Sequence, residues 1–169
     1  NQSQDAIKVP GEWDDTCSNE SETDTSDNDT TETDPPPQSR GNLALDGVAS
    51  SFNEYNSSYG PKYTNDGKTT IWASKTIYNT RDTNWVMIDL KSVSSFNNVK
   101  IHWRGNDYAK EYAVYAYQNG GWTEMGTYSK YNEGVSNVDL TTTNAQYVAV
   151  TMRSGNYGRW YLIEEIEIN

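Results

Sequence analysis

Residues 85–128 read WVMIDLKSVSSFNNVKIHWRGNDYAKEYAVYAYQNGGWTEMGTY, and the way apolar residues are spaced within them decides the fold. Four short runs stand out: WVMIDL (Trp85–Leu90), NVKIHW (Asn98–Trp103), YAVYAY (Tyr112–Tyr117) and WTEMGTY (Trp122–Tyr128). Each alternates apolar with polar residues or runs continuously through β-branched and aromatic ones, the pattern of a pleated strand. Asn119-Gly120 between the last two is a hairpin signal, because both residues tolerate the positive φ that a tight turn requires. Working outward, SNVDL (Ser136–Leu140), YVAVTM (Tyr147–Met152) and IEEIEI (Ile163–Ile168) continue the texture. No segment sustains an i, i+3, i+4, i+7 pattern for three turns, so helices are not expected to build the core. Seven or eight short strands with turns about every ten residues predict an all-β antiparallel sandwich or barrel.

Charge divides the chain. Residues 1–40 hold 11 acidic residues against Lys8 and Arg40, a net of −9 within a total of −11, which leaves −2 for the rest. Thr16–Gln38, TCSNESETDTSDNDTTETDPPPQ, offers nothing that could bury a core. Its like charges and Pro35–Pro37 favour an extended linker. The expected organisation is a tail of a preceding module at 1–15, an acidic linker at 16–40 and a folded module at 41–169. No cluster of Lys and Arg forms a phosphate-tracking stripe, so nucleic acid is not expected as a partner. No apolar run reaches about 18 residues, so no helical membrane span is expected. Cys17 is the single cysteine; it reads as an exposed thiol or as half of a bridge to a neighbour.

Between Ser50 and Asn84 lies SFNEYNSSYGPKYTNDGKTTIWASKTIYNTRDTN, long, poor in strand pattern and rich in Tyr, Asn, Lys and Arg. Connections of this length in a compact domain tend to carry function.

In order along the chain, NLAL (Asn42–Leu45), NDGKTTIWAS (Asn65–Ser74), WVMIDL, NVKIHW, YAKEYAVYAY (Tyr108–Tyr117), the Trp122 strand, AQYVAVTM (Ala145–Met152) and the terminal EEIEI resemble the coagulation factor V/VIII type C, or discoidin, domain. More narrowly they resemble carbohydrate-binding module family 32, which accompanies secreted bacterial polysaccharide-degrading enzymes. The resemblance covers 42–169 and implies a jelly-roll β-sandwich whose loops at one end bind sugar. It implies a non-catalytic, monomeric module that is secreted and carried in the same parent chain as a catalytic domain. It also implies a structural Ca²⁺ held by Asp66, Thr70 and Glu165, with backbone carbonyls at Tyr63 and Glu164. Lys68 departs from that pattern, since an ammonium cannot ligate a cation.

The resemblance and the strand alternation together assign Trp72, Trp85, Trp103 and Trp122 to the core, and put Lys100 and His102 opposite Val99, Ile101 and Trp103. Tyr55, Tyr59, Tyr78, Tyr157, Trp160 and Tyr161 remain as loop aromatics. The expected sugar-binding set is Glu54, Lys75, Tyr78, Arg81, Arg104, Asn106, Tyr157, Arg159 and Trp160: stacking faces together with hydrogen-bonding and charged groups. In a nearly neutral domain, Lys75, Arg81, Arg104 and Arg159 favour an acidic, uronate-containing oligosaccharide such as an alginate or pectin fragment, because guanidinium reads carboxylate. Two other functions find less in the sequence. Catalysis would need a spaced pair of carboxylates, and no pair among Glu54, Glu111, Glu124 and Glu133 is marked. Phospholipid binding or adhesion would need apolar hairpin tips with a basic skirt, whereas these loops offer Tyr, Asn and Ser.

Overall fold

Two strands carry the architecture, and each is far longer than a typical strand. The computed structural model describes residues 41–75, 83–155 and 160–169, all within one compact unit, Arg40–Asn169. Its strands are β1 (Val48–Ser51), β2 (Trp72–Ala73), β3 (Asn84–Trp103), β4 (Ala109–Gln118), β5 (Gly121–Ser129), β6 (Gly134–Gly155) and β7 (Leu162–Ile168). Three 3₁₀ turns, η1 (Leu43–Asp46), η2 (Ser57–Tyr59) and η3 (Pro61–Thr64), complete the described residues.

β3 and β6 run antiparallel over almost their whole length, from Asn84↔Met152 to Trp103↔Gly134. The sequence pattern predicted two strands where β3 is one, and two again where β6 is one. The ladder survives the polar stretch between the runs because register shifts at Asp89/Ser94 and Phe96/Asn98 absorb the bend, as β-bulges do. At the bend Lys91 takes a φ of 66°, and its N–H donates to Asp89 Oδ1 at 2.7 Å. The first half of β3 therefore pairs with β1 and with the end of β6, which continues into β4 and β5. Its second half pairs with the start of β6 and with β7, which carries β2. One sheet thus folds over itself into the two layers of a β-sandwich.

Val86, Ile88, Val148, Val150 and Met152 fill the core from the first layer, and Val99, Ile101, Val138, Ile163, Ile166 and Ile168 from the second. Trp103 meets Tyr112 across the layers at 5.6 Å, and its indole N–H donates to Ser136 Oγ at 2.9 Å. The run IEEIEI has one residue too many for simple alternation. A register shift between His102 and Trp103, paired with Glu165 and Ile163, leaves Glu164 as the extra residue. It lets both Ile163 and Ile166 reach the core. Asn119 and Gly120 have φ of 51° and 79°, and Gln118 pairs with Gly121, the two-residue hairpin that the sequence predicted.

One tryptophan assignment is corrected and another refined. Trp85 is buried, as expected, outside the main core cluster. It alternates with Val86 and Ile88, so it shares the opposite face with Met87 and with Thr151, its partner across the ladder. Trp122 is only half-buried. It sits on β5, which among the described residues pairs with β4 alone, and packs edge-on against Tyr117 at 5.6 Å. An aromatic residue on an edge strand is stabilised by such cross-strand contact without entering the core.

Candidate functional site

Three connections meet at one end of the sandwich, and backbone hydrogen bonds lace them together. The loop after β1 is tied to β2 and β3: Tyr55 N–H donates to Ala73 O at 2.8 Å and Phe52 N–H to Trp85 O at 3.0 Å. Asn53 Oδ1 accepts from Lys75 N–H at 2.8 Å. The segment before β7 is fixed by a reciprocal pair: Ser74 N–H donates to Tyr161 O at 3.0 Å, and Tyr161 N–H to Ser74 Oγ at 2.8 Å. The 104–107 loop joins through Arg104 N–H to Leu162 O at 3.1 Å and Leu162 N–H to Asp107 O at 2.8 Å.

This lacing brings Tyr55, Tyr59 and Trp160 together. Tyr55 meets Tyr59 at 6.0 Å and Trp160 at 5.8 Å, both edge-to-face. All three retain exposure, Tyr55 about half of its surface at 51%. Edge-to-face packing holds each ring and leaves faces open to solvent. Glu54 lies half-buried beside them. It packs so closely on buried Gly60 that a Cβ there would stand 3.0 Å from Glu54 Oε2. Lys75 is exposed at the same end.

The other expected site residues divide. Arg104 is exposed, but its guanidinium is engaged by Glu164, so it is a partnered cation. Asn106 is exposed on the same loop. Tyr161 is corrected from a loop aromatic to a core residue. It has no solvent exposure, and burial pushes its phenol up to about 12. The segment anchored by Ser74 turns inward at that residue, while Trp160 beside it keeps partial exposure. Tyr78, Arg81, Tyr157 and Arg159 lie outside the described residues, as do Cys17 and the 1–40 segment. Tyr55 and Tyr59 stand with Trp160 as the centre of the candidate site; their isolation among polar loop residues was the signal in the sequence.

The residues expected around a cation also converge in part. Asp66 Oδ2 accepts from Thr70 Oγ1 at 2.7 Å, and its Oδ1 from Lys68 N–H at 3.0 Å. Glu165 Oε2 accepts from Gly67 N–H at 3.2 Å, and its Oε1 from Asn42 Nδ2 at 3.4 Å. Gly67 adopts a φ of 68°, which permits the turn. Burial first, and then the Asp66 and Glu167 carboxylates, push Glu165 up to about 7. The Glu164 side chain is taken by Arg104, and Tyr63 packs its ring beneath Lys62 Nζ at 4.9 Å. Among the described residues no three His, Cys, Asp or Glu side chains gather as a metal cluster, so a cation here would draw on backbone and hydroxyl oxygens besides Asp66 and Glu165. His102 stands on the outer face of β3, where its Nε2 lies 2.6 Å from Glu167 Oε1.

The fold and this end of it can be set beside known proteins. Chitosan-binding module 1 derived from a chitosanase/glucanase of Paenibacillus sp. IK-5 is 26% identical, with a TM-score of 0.68 over 76% of this chain and 98% of that module. Chitosan-binding module 2 of the same enzyme, solved with chitotriose, is 24% identical, with a TM-score of 0.68 over 75% and 98%. The family 32 module of Clostridium perfringens NanJ, solved with galactose, is 18% identical, with a TM-score of 0.66 over 76% and 96%. The last two likenesses, at their identity, concern the fold. Comparison with curated proteins gave no match. The model of the F5/8 type C domain matches residues 47–166, which is most of the chain and runs from before β1 into β7, and the chain belongs to that family.

Proposed function

We propose that residues 41–169 form a non-catalytic carbohydrate-binding module that holds an oligosaccharide at the loop end and delivers a catalytic domain of the same secreted parent chain to its polysaccharide. The observation that carries it is the Tyr55–Tyr59–Trp160 cluster, three partly exposed rings fixed against one another on loops laced by backbone hydrogen bonds. Rings held in advance lose little freedom when a pyranose stacks on them. The 26% identical chitosan-binding module supports a sugar as the ligand class. A single shallow site of this kind binds in the range from about 10 μM to about 1 mM. Tethering through the acidic linker then raises the effective concentration of the neighbouring domain at the polymer.

An acidic, uronate-containing ligand is supported at this end by Lys75 and by the sequence positions of Arg81 and Arg159, while Arg104 is already occupied by Glu164. A second ligand class, an amino sugar with a cationic nitrogen, is favoured by Glu54, which precedes Tyr55 on the same loop, packs on Gly60 and carries the opposite sign. A structural Ca²⁺ beside the Gly67 turn is part of the proposal. It is supported by Asp66 and Glu165 facing a common turn with Thr70, and it would supply positive charge between two carboxylates and pin η3 and β7 together.

The test is affinity electrophoresis and calorimetry of the whole chain with trigalacturonate, chitotriose and galactose. Retention by any of them, lost on Trp160→Ala, supports a loop-end sugar site, and the preferred ligand fixes its charge. Retention by none, together with sedimentation on phosphatidylserine vesicles, would replace sugar with lipid as the partner.

A further inference from the structure

A second recess lies between the two free strand edges of the sandwich. Among the described residues β5 pairs only with β4, and the first half of β6 only with β3, which leaves two strand edges unpaired where the layers part. Between them is a cleft of about 590 Å³, lined by Tyr128, Lys130, Tyr131, Asn132, Ser136 and Asn137 among others. That volume lies within the range of small-molecule sites. None of these residues belongs to the Tyr55–Tyr59–Trp160 cluster.

Lys130 is the unusual member. It is only 6% exposed, and its backbone N–H is fixed to Lys110 O at 2.8 Å. Its ammonium stands 5.9 Å from the centroid of the Tyr108 ring. Among the described residues no carboxylate lies within ion-pair distance of it. A lysine this enclosed, with a ring face but no carboxylate beside its ammonium, is short of counter-charge, and burial accordingly draws its pKa below the usual lysine range. An anion entering the cleft would restore what burial removed.

The next residue supplies shape. Tyr131 is 88% exposed, with no ring partner among the described residues. Its exposed ring is part of the lining of the cleft. Asn132 beside it is exposed and offers both an amide donor and an acceptor. The inner wall is closed by Tyr112 and Tyr128, stacked at 5.6 Å. Ser136 is occupied there by Trp103 and Tyr112, so hydroxyl recognition falls to Asn132.

We propose that this cleft is a second carbohydrate subsite, specific for a pyranose bearing a carboxylate: the ring lies on Tyr131, the carboxylate pairs with Lys130 and a hydroxyl meets Asn132. A chain with two such sites would grip an acidic polymer at two points and gain from the local concentration that the first contact creates. The proposal shares no residue with the loop end and stands or falls apart from it.

The test is an amide-resolved NMR titration of the whole ¹⁵N-labelled chain with D-glucuronate, and with D-glucose as its neutral counterpart. Glucuronate is expected to move the amides of Lys130, Tyr131 and Asn132 at millimolar concentration, and glucose to leave them in place. Lys130→Met, which keeps the apolar stem, should weaken this binding at least tenfold, and Tyr131→Ala, at an exposed position, by a similar factor. Trp160→Ala should leave it unchanged. Amides of 130–132 that stay still in the wild-type chain at saturating glucuronate would overturn the proposal, whether or not the loop end responds. So would an equal response to glucose.

Discussion

Removing one carboxylate from the outer face of the β4–β5–β6 layer should destabilise the domain by an amount that depends on pH. Arg153 on β6 has a side chain only 5% exposed. Its Nη2 donates to Glu124 Oε2 at 2.7 Å and to Tyr115 Oη at 3.1 Å. Glu124 also accepts from Tyr115 Oη at 2.8 Å and from Thr127 Oγ1 at 2.7 Å. Burial pushes this carboxyl up, but the bonds from Thr127, Arg153 and Tyr115 together outweigh it and hold Glu124 at about 2, against an ordinary 4.5. That gap corresponds to roughly 3 kcal/mol before screening. About a third of the Glu124 side chain meets solvent, which reduces the figure to on the order of 1–2 kcal/mol. Because the folded pKa lies below the unfolded one, this stability is present above pH 4.5 and is lost as pH falls through about 2. Glu124→Gln should therefore cost about 2 kcal/mol at pH 7, since Arg153 loses the nearby carboxylate and Glu111 stands farther off, at 4.0 Å. Chemical denaturation of the wild type, Glu124→Gln, Arg153→Met and the double variant measures the pair directly. The expected coupling is about 1–2 kcal/mol at pH 7 and shrinks steadily below pH 4.5. A coupling under about 0.3 kcal/mol, or one that is the same at pH 7 and pH 2.5, would refute the reasoning.

Three further outcomes are expected. Tyr55→Ala and Trp160→Ala should each weaken oligosaccharide binding about tenfold, equivalent to about 1.4 kcal/mol, while leaving the unfolding midpoint nearly unchanged; full binding by the double variant in calorimetry would move the site elsewhere. Calcium should raise the melting temperature, EDTA should reverse the gain and Glu165→Gln should abolish it. In metal-free protein Glu165, raised to about 7, contributes stability that is full below pH 4.5 and lost as pH rises through 7. The same substitution should then stabilise by about 1–3 kcal/mol at pH 8, and a melting temperature indifferent to calcium at every pH would remove the ion. Gly120→Ala should cost about 1 kcal/mol in denaturant unfolding, because φ is 79° and no atom lies within 4 Å of the new methyl group; an unchanged midpoint would mean that the hairpin adopts another turn.

The strands were legible because their signal is local. A period of two needs only neighbouring residues, and Val86, Ile88, Val99, Ile101, Val148 and Val150 all enter the core from runs that alternate in the sequence. What the pattern could not carry was continuity and side. The stretch KSVSSFNN reads as a loop, yet β3 passes through it, because a bulged strand can cross between layers while exposing polar residues on both faces. Trp85 and Trp122 have the composition of core residues, but whether an aromatic faces the other layer or the open side of its own sheet depends on which strands flank it. That is a property of the register, which no single run contains.

The loop end depended on still more distant information. Tyr55 and Trp160 are 105 positions apart, and they meet because Ser74 binds Tyr161 in both directions while Ala73 binds Tyr55. The short strand β2 is the common anchor, and two residues of WA are too few to announce a strand by periodicity. Tyr161 and Trp160, adjacent and equally aromatic, divide between core and surface on the strength of that one anchor. Lys130 and Tyr131 divide in the same way, one buried and one 88% exposed, at the place where two sheet edges part. In both pairs the sequence names the chemistry and the topology chooses which residue presents it. Binding surfaces of a sandwich are therefore to be sought where strands end or lack a neighbour, and the aromatic left outside at each such place is the first to substitute.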